Sequence, residues 1–470
     1  MKKIELTTSF KKLLADVYTP VGIYLRLRDR FRDTVLLEST DFHVGENSFS
    51  IIGINAIAGI EISSYGEIEY KLPLQKIEKV KTDRNKNVSD ELAKFMEHFN
   101  CLPPDEIPVT KAQGLFGYTT FDAIQFFEDI TFKSSSAPPE IPLIRYRLYQ
   151  YVIVINHFRD ELFICENQIK GLPGEADIVE SLIKSKDVPG YPFASIEKES
   201  SALTDDEYVE MVKKGIASCK RGDVFQVVLS RRFSRKFSGD EFNVYRALRN
   251  INPSPYLFYF DYGDYRLFGS SPESQLIVQK NTAVVHPIAG TFRRTGNDAV
   301  DEQLAEKLAK DEKENAEHVM LVDLARNDLS RLCTDVKVSR FCEVQYFSHV
   351  IHLVSEVKGT VPEGTHPFNL LAISFPAGTL SGAPKYKAMQ LIDQYEKDAR
   401  SYYGGCIGFI GFNGNVNHAI LIRSFLSKDN SLIYRAGAGI VAASDPGSEL
   451  QEVTNKLNAL TAAIAAAEKI

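Results

Sequence analysis

Apolar and polar residues alternate over short stretches along the first third of the chain. Ile23, Leu25 and Leu27 are interleaved with Arg26, Arg28 and Arg30, a period of two that predicts a half-buried strand. Residues 151–156 and 161–166 flank the turn Phe158-Arg-Asp160 and predict a hairpin. Gly171, Pro173, Gly174, Pro189, Gly190 and Pro192 lie among many charges over 167–202, which predicts a linker between an N-terminal region (1–166) and a larger domain (203–470). Thr204-Asp-Asp-Glu207 is a capping box, in which hydroxyl and carboxylate satisfy opposite orphan amides; it opens a predicted helix that ends at Gly222. Strands are then predicted over 256–260, 265–269, 275–278 and 283–288, and helices over about 298–332 and 383–397. A meander over 407–412, 419–427 and 431–436 precedes a final helix, 446–467. Antiparallel hairpins interrupted by helices, without regular β-α-β alternation, predict an α+β fold.

Composition narrows the class. At 470 residues the chain has room for up to three domains, and 44% hydrophobic with 25% charged residues is ordinary for a globular protein. Lys and Arg number 55 against 62 Asp and Glu, a net charge of −7, so the positive footprint that nucleic acid requires is missing. The six cysteines (101, 165, 219, 333, 342, 406) form no C-x-x-C pair, and reduced thiols in a cytoplasmic protein are expected. Residues 1–16 mix lysines with apolar residues, unlike a signal peptide, and no 18 apolar residues run together, so no membrane span is expected.

Several patterns are candidates for chemistry. Glu314 and Glu317, and Glu449 and Glu452, are i, i+3 pairs on two predicted helices, each presenting two carboxylates on one face. Facing each other they would offer oxygen donors to a hard cation such as Mg²⁺; alone, such pairs are more often solvated faces. Arg435-Ala-Gly-Ala-Gly439 permits close approach of backbone amides to an anion, or is a plain bulge. His349 and His352 lie among Val, Ile and Leu that favour a strand, putting the rings on opposite faces, one a buried acid-base group or an ordinary core histidine. Phe375 to Lys385 is a Gly/Pro-rich turn expected to open a helix at Ala383, with Pro384 in its first turn.

Four longer motifs occur in order: Pro287-Ile-Ala-Gly-Thr291, Glu317-His-Val-Met-Leu-Val-Asp-Leu-Ala-Arg-Asn-Asp328, Gly378-Thr-Leu-Ser-Gly-Ala-Pro-Lys385 and Ala436-Gly-Ala-Gly-Ile-Val441. With them the chain resembles the chorismate-utilising enzymes, and among these the large components of anthranilate synthases, strongly over 204–465 and more loosely over 1–165. The resemblance implies stacked antiparallel sheets flanked by helices, closing over chorismate and Mg²⁺. It makes Glu317 and Glu452 metal ligands, with Glu314 and Glu449 as outer supports. Arg423 and Lys456 would face the substrate carboxylates, Gly437, Ala438 and Gly439 would donate amides, and Gly290, Thr291 and Tyr403 would shape the ring pocket. The implied reaction is attack of ammonia on C2 of chorismate with loss of the C4 hydroxyl, then elimination of pyruvate to give anthranilate. Glu273 matches the general acid, His352 the histidine of pyruvate elimination, and Thr379 a position near the leaving hydroxyl.

Sister enzymes carry lysines where this chain has Gln226 and Ala289, so neither an activated water nor a lysine nucleophile is expected. Ala289 thereby separates the chain from aminodeoxychorismate synthases, and retention of Glu273, Glu317, His352, Arg423 and Glu452 from a non-catalytic tryptophan-sensing regulator. His286 stands where the resemblance leads one to expect arginine, weakening a charge contact. Leu36-Leu-Glu-Ser39 with Asn252-Pro-Ser-Pro-Tyr-Leu257 resembles a tryptophan feedback motif, with Ser39, Pro255, Tyr256 and Leu257 as contacts. No cysteine sits in an amidotransferase elbow; Gly404-Gly-Cys406-Ile-Gly408 comes nearest and reads as packed strand. A separate glutamine amidotransferase subunit is therefore expected, in a heterotetramer of two large and two small subunits.

Overall fold

The structure, a computed structural model, describes residues 3–39, 48–81, 87–133, 137–346 and 350–470, without the side chains of Thr291, Arg293 and Lys313. His349 lies outside the described residues. Nearly all strand pairing is antiparallel, and two arms diverge from the strand Ile144–Asn156. One arm passes through Phe49–Ser64, Thr34–Glu38, Tyr256–Asp261, Tyr265–Ser271, Ser424–Lys428 and Ser431–Ile440 to Gln226–Gly239. The other passes through Gly114–Thr119, Cys406–Gly411, Val416–Ile420, Ser274–Gln279 and Thr282–Val285 to Val350–Thr360, which also pairs with Ile288–Arg293 and Thr334–Tyr346.

Strand periodicity explains how these arms stack. Phe258, Phe260, Leu267, Leu426 and Ile433 of the first arm meet Phe116, Tyr118, Ile407 and Ala419 of the second in one buried cluster. Their strand neighbours Leu257, Tyr259, Phe268, Phe425, Leu432 and Tyr434 point the other way, into a larger cluster. That cluster is shared with Tyr208 and Met211 of the helix Asp205–Arg221 and Val453 and Leu457 of the helix Pro446–Ala467. Both sheet faces are therefore buried, one against the other arm and one under helices, as the α+β expectation required. Strands from 1–166 pair with strands from 203–470, as Thr34–Glu38 does with Tyr256–Asp261. All six cysteines are free thiols, and no helix among the described residues is long and apolar enough to cross a membrane.

Local chemistry overrode the sequence pattern in five places. Residues 20–27 form the helix Pro20–Leu27, not a strand: Thr19 accepts from Gly22 N as N-cap and Pro20 fits the first turn. The expected linker holds the helix Ala176–Lys184 and the short strands Phe193–Ser195 and Ser200–Ser201, which pair with Gln226–Gly239. The helix expected over 298–332 divides into Asp298–Lys310 and Glu312–Ser330, because Asp311 is extended and caps the second piece through Glu314 N. The strand expected over 419–427 divides at Arg423, whose φ of 48° ends one ladder before the next begins at Ser424. The last helix of the Gly/Pro-rich turn starts at Lys385, with Pro384 as its N-cap, after a single turn Gly378–Ser381 and a two-residue bridge.

Candidate active site

The site lies where both arms and two helices converge. Glu273 occupies the turn between Tyr265–Ser271 and Ser274–Gln279; its carbonyl accepts from Ile420 N at 3.0 Å, which fixes the turn to the neighbouring strand. The Thr379 hydroxyl donates to Glu273 Oε1 at 2.9 Å. Burial pushes the Glu273 carboxyl up to about 7, against the opposing effects of the Thr379 bond, Lys456 and Arg423. Arg423 is also within electrostatic reach of His352 and donates to Asn252 Oδ1 at 3.3 Å.

His352 is buried on Val350–Thr360, and its Nδ1 is 3.0 Å from Gly290 O. That carbonyl can only accept, so Nδ1 carries the proton of the neutral ring and Nε2 is the basic nitrogen. Burial lowers the His352 pKa, as Arg423 also does, while the Gly290 carbonyl raises it. Gly290 has φ 64°, and a Cβ there would lie 2.7 Å from Leu308 and 3.2 Å from Glu314 Oε2, so glycine lets the helices Asp298–Lys310 and Glu312–Ser330 approach the strand. Tyr403 is buried, 4% exposed, within electrostatic reach of Arg400, Glu396 and Glu452, its hydroxyl pushed up to about 12 by burial. The Thr291 side chain lies outside the described residues; its backbone pairs with His352.

Gly437, Ala438 and Gly439 sit in regular ladder opposite Ser230, Leu229 and Val228, so the bulge reading does not apply. Ser230 N donates to Glu396 Oε1 and Val228 O accepts from Arg400, so both face away from the glycine strand. Opposed residues of an antiparallel pair either exchange both bonds or neither. Gly437 and Gly439 therefore direct their N–H groups to the free edge, where Lys456 Nζ meets Gly437 O at 2.9 Å. Ala438, the intervening residue, directs its amide at the partner strand. The strand Ser424–Lys428 covers that edge only as far as Tyr434.

Two carboxylates, Glu317 and Glu452, border this edge. Glu317 Oε1 accepts from Gln226 Nε2 at 2.7 Å, and a Cβ on Gly439 would lie 2.5 Å from that amide. Glu452 is ion-paired to Lys456 at 2.7 Å, one turn along the last helix, and Glu449 is buried. Carboxylate oxygens are the donors a hard divalent cation prefers, and glycines at 290 and 439 keep space beside Glu314 and Glu317. Among the described residues no three His, Cys, Asp or Glu side chains are gathered on a single point.

Ser39, Pro255, Tyr256 and Leu257 come together elsewhere, in the wall of a cavity of about 680 Å³ that also includes Glu38, Phe49, Lys111, Ser274 and His286. Sequence reasoning missed the buried Glu396–Arg400 pair (2.6 Å), which supports the strand behind Gly437, and the Asp328–Lys385 pair (2.6 Å), which ties the two longest motifs together. The only signal for the second was that both residues end a motif.

A family model for chorismate binding enzymes matches residues 61–462. The chain is 36% identical to anthranilate synthase component 1 of Aquifex aeolicus, covering 98% of this chain and 95% of that protein. It is 37% identical to the component 1 of Geobacillus stearothermophilus, covering 98% and 94%. The crystal structure of anthranilate synthase component I from Streptococcus pneumoniae superposes with a TM-score of 0.77 at 30% identity, over 96% of this chain and 99% of that one. The menaquinone-specific isochorismate synthase of Escherichia coli has the same fold, with a TM-score of 0.74 at 18% identity.

Proposed function

The chain belongs to the chorismate binding enzymes, alongside the anthranilate synthase component 1 proteins, and we propose that it converts chorismate and ammonia to anthranilate and pyruvate as the committed step toward tryptophan. The observation that carries this reading is that the pairs Glu273–Thr379 and His352–Gly290 both lie within electrostatic reach of Arg423. A hydroxide leaving group needs a proton, and a carboxyl pushed up to about 7 still carries one in roughly half of the molecules at neutral pH. Thr379 occupies Oε1, so Oε2 presents the proton to the C4 oxygen. His352 Nε2, held by the bond at Nδ1 and kept neutral by burial, then removes the C2 proton as pyruvate leaves. Arg423, Lys456 and the free-edge amides of Gly437 and Gly439 receive the carboxylates. Mg²⁺, held by Glu317 and Glu452 with Glu314 and Glu449 behind them, would supply Lewis-acid binding of a substrate carboxylate. Gln226 spends its amide on Glu317 and Ala289 has no nucleophile, which leaves ammonia to attack.

Ammonia is scarce at neutral pH, and Cys406 is no source: it is fully buried in a strand and its thiol is pushed well up by that burial. A separate glutamine amidotransferase subunit supplies it, in a cytoplasmic heterotetramer, and L-tryptophan inhibits from the cavity at Ser39 and Tyr256. The test is incubation of the purified chain with chorismate, Mg²⁺ and ammonium. Anthranilate and pyruvate are expected; isochorismate, salicylate or 4-amino-4-deoxychorismate as the main product would overturn the reading.

A further inference from the structure

Two cavities meet at a pair of residues, Ser274 and His286. A small cavity of about 40 Å³ lies against Glu273, Thr379 and Asp328. The larger one, about 680 Å³, reaches the far side of the same turn. Ser274 and His286 line both. His286 stands between the strands Thr282–Val285 and Ile288–Arg293, and its ring bridges the gap: Nδ1 is 3.4 Å from Ser274 Oγ and Nε2 is 3.4 Å from Glu356 Oε2. Glu356 is itself anchored by Lys358 at 2.7 Å and Ser339 at 2.6 Å, so the bridge rests on a fixed post. A cavity of the smaller size, about 40 Å³, holds roughly three or four waters by the criterion of about 10–15 Å³ each. The larger holds many more, and among the described residues nothing but the imidazole and the serine is common to both walls.

We propose that the His286 imidazole is the partition that keeps the water of the large cavity away from Glu273, and is therefore a positioning residue for the proton donor. This rests on the reading of Glu273 as the acid. Keeping hydration down to the few waters of the small cavity matters to that carboxyl because burial is the first cause of its raised pKa, whereas the groups facing it push the other way: the Thr379 hydroxyl, then Lys456 and Arg423. Asp328, across the small cavity, is paired with Lys385. On the far side, Glu356, Lys358 and Arg340 act on the ring of His286, whose own burial favours the neutral form. A neutral imidazole accepts from Ser274 at Nδ1 and donates to Glu356 at Nε2, filling both bonds at once. An arginine at this position would bring a permanent charge to within reach of the acid and hold the carboxylate form; histidine closes the wall without it.

The test compares the full chain with His286→Ala, which opens the partition, and His286→Phe, which restores its bulk without its hydrogen bonds. Chorismate-limited kcat/KM is followed against pH with free ammonia held constant, and the Glu273 carboxyl resonance is titrated in carbon-13 glutamate-labelled protein, assigned through Glu273→Gln. His286→Ala should move both the basic limb and the resonance to lower pH, toward the ordinary carboxyl range, and His286→Phe should return both to the wild-type position. An unmoved resonance in His286→Ala, or one displaced as far in His286→Phe, would overturn the partition. A resonance that moves as expected in a chain that makes no anthranilate would defeat the functional reading and leave the partition standing.

Discussion

At the scale of single residues the site is a set of groups held away from their ordinary protonation. As the proposed acid Glu273 would have to be protonated to act, so kcat/KM should fall as pH rises past about 7, and Glu273→Gln should remove most activity together with that limb. The same burial has a stability consequence. The folded carboxyl binds its proton more tightly than the unfolded one, so its contribution is present below about 4.5 and lost as pH rises through about 7; Glu273→Gln should flatten that part of a denaturant-midpoint profile. Outer supports of a metal usually cost about 10- to 100-fold in affinity or activity when removed. Glu314→Gln and Glu449→Gln are expected in that range at limiting Mg²⁺, and Glu317→Gln and Glu452→Gln beyond it. Near-normal turnover in the latter two would mean that these are solvated acidic faces. Residue types and spacing made the carboxylates visible in the sequence, but not Gln226 on Glu317, which spans 91 positions and required the fold. Nor could spacing separate Ala438 from its glycine neighbours; only the ladder phase does that.

Elements were legible where their ends carry local chemistry. The helix Asp205–Arg221 has the capping box expected of it, with both reciprocal bonds and Gly222 at φ 83°, and the helix Pro446–Ala467 follows its Pro signal. Where alternation alone was read, as over 23–30, a cap at Thr19 four positions outside the window decided the outcome. Breaks at Asp311 and Arg423 were invisible because neither is Gly or Pro. Two substitutions separate local from tertiary support. Thr204→Ala loses one cap, for which about 0.5–2 kcal/mol is usual. Glu396→Ala leaves Arg400 and Arg435 buried without their carboxylate and Ser230 N without its acceptor. For breaking one partner of a buried pair about 3–5 kcal/mol is expected. Urea midpoints of the two variants should differ in that order; equal midpoints would show that the Glu396 cluster is no more than a surface-like pair.

Across the whole molecule, the large cavity is built from distant parts of the chain. Ser39 follows Thr34–Glu38, which pairs with the strand carrying Tyr256 and Leu257, and that strand pairs in turn with the one ending at the Glu273 turn. The 1–166 region is thus bonded into the sheet that carries Glu273, and Ser39 is separated from the strand ending at that turn by one strand. Sequence reading divided these regions because composition changes at 167–202; strand pairing, which composition does not report, joins them. If L-tryptophan inhibits from this cavity, two sites share a coupling free energy, and the coupling must be reciprocal: chorismate must weaken tryptophan binding by the factor by which tryptophan weakens chorismate binding. Calorimetric titrations of tryptophan with and without saturating chorismate read that factor directly, and inhibition of anthranilate formation reads it from the other side. Ser39→Leu, which fills the wall with an apolar side chain, should abolish the heat of tryptophan binding and leave chorismate binding close to wild type. Equal tryptophan affinity at zero and saturating chorismate would leave the cavity without a part in regulation. Inhibition that survives Ser39→Leu unchanged would place the effector elsewhere.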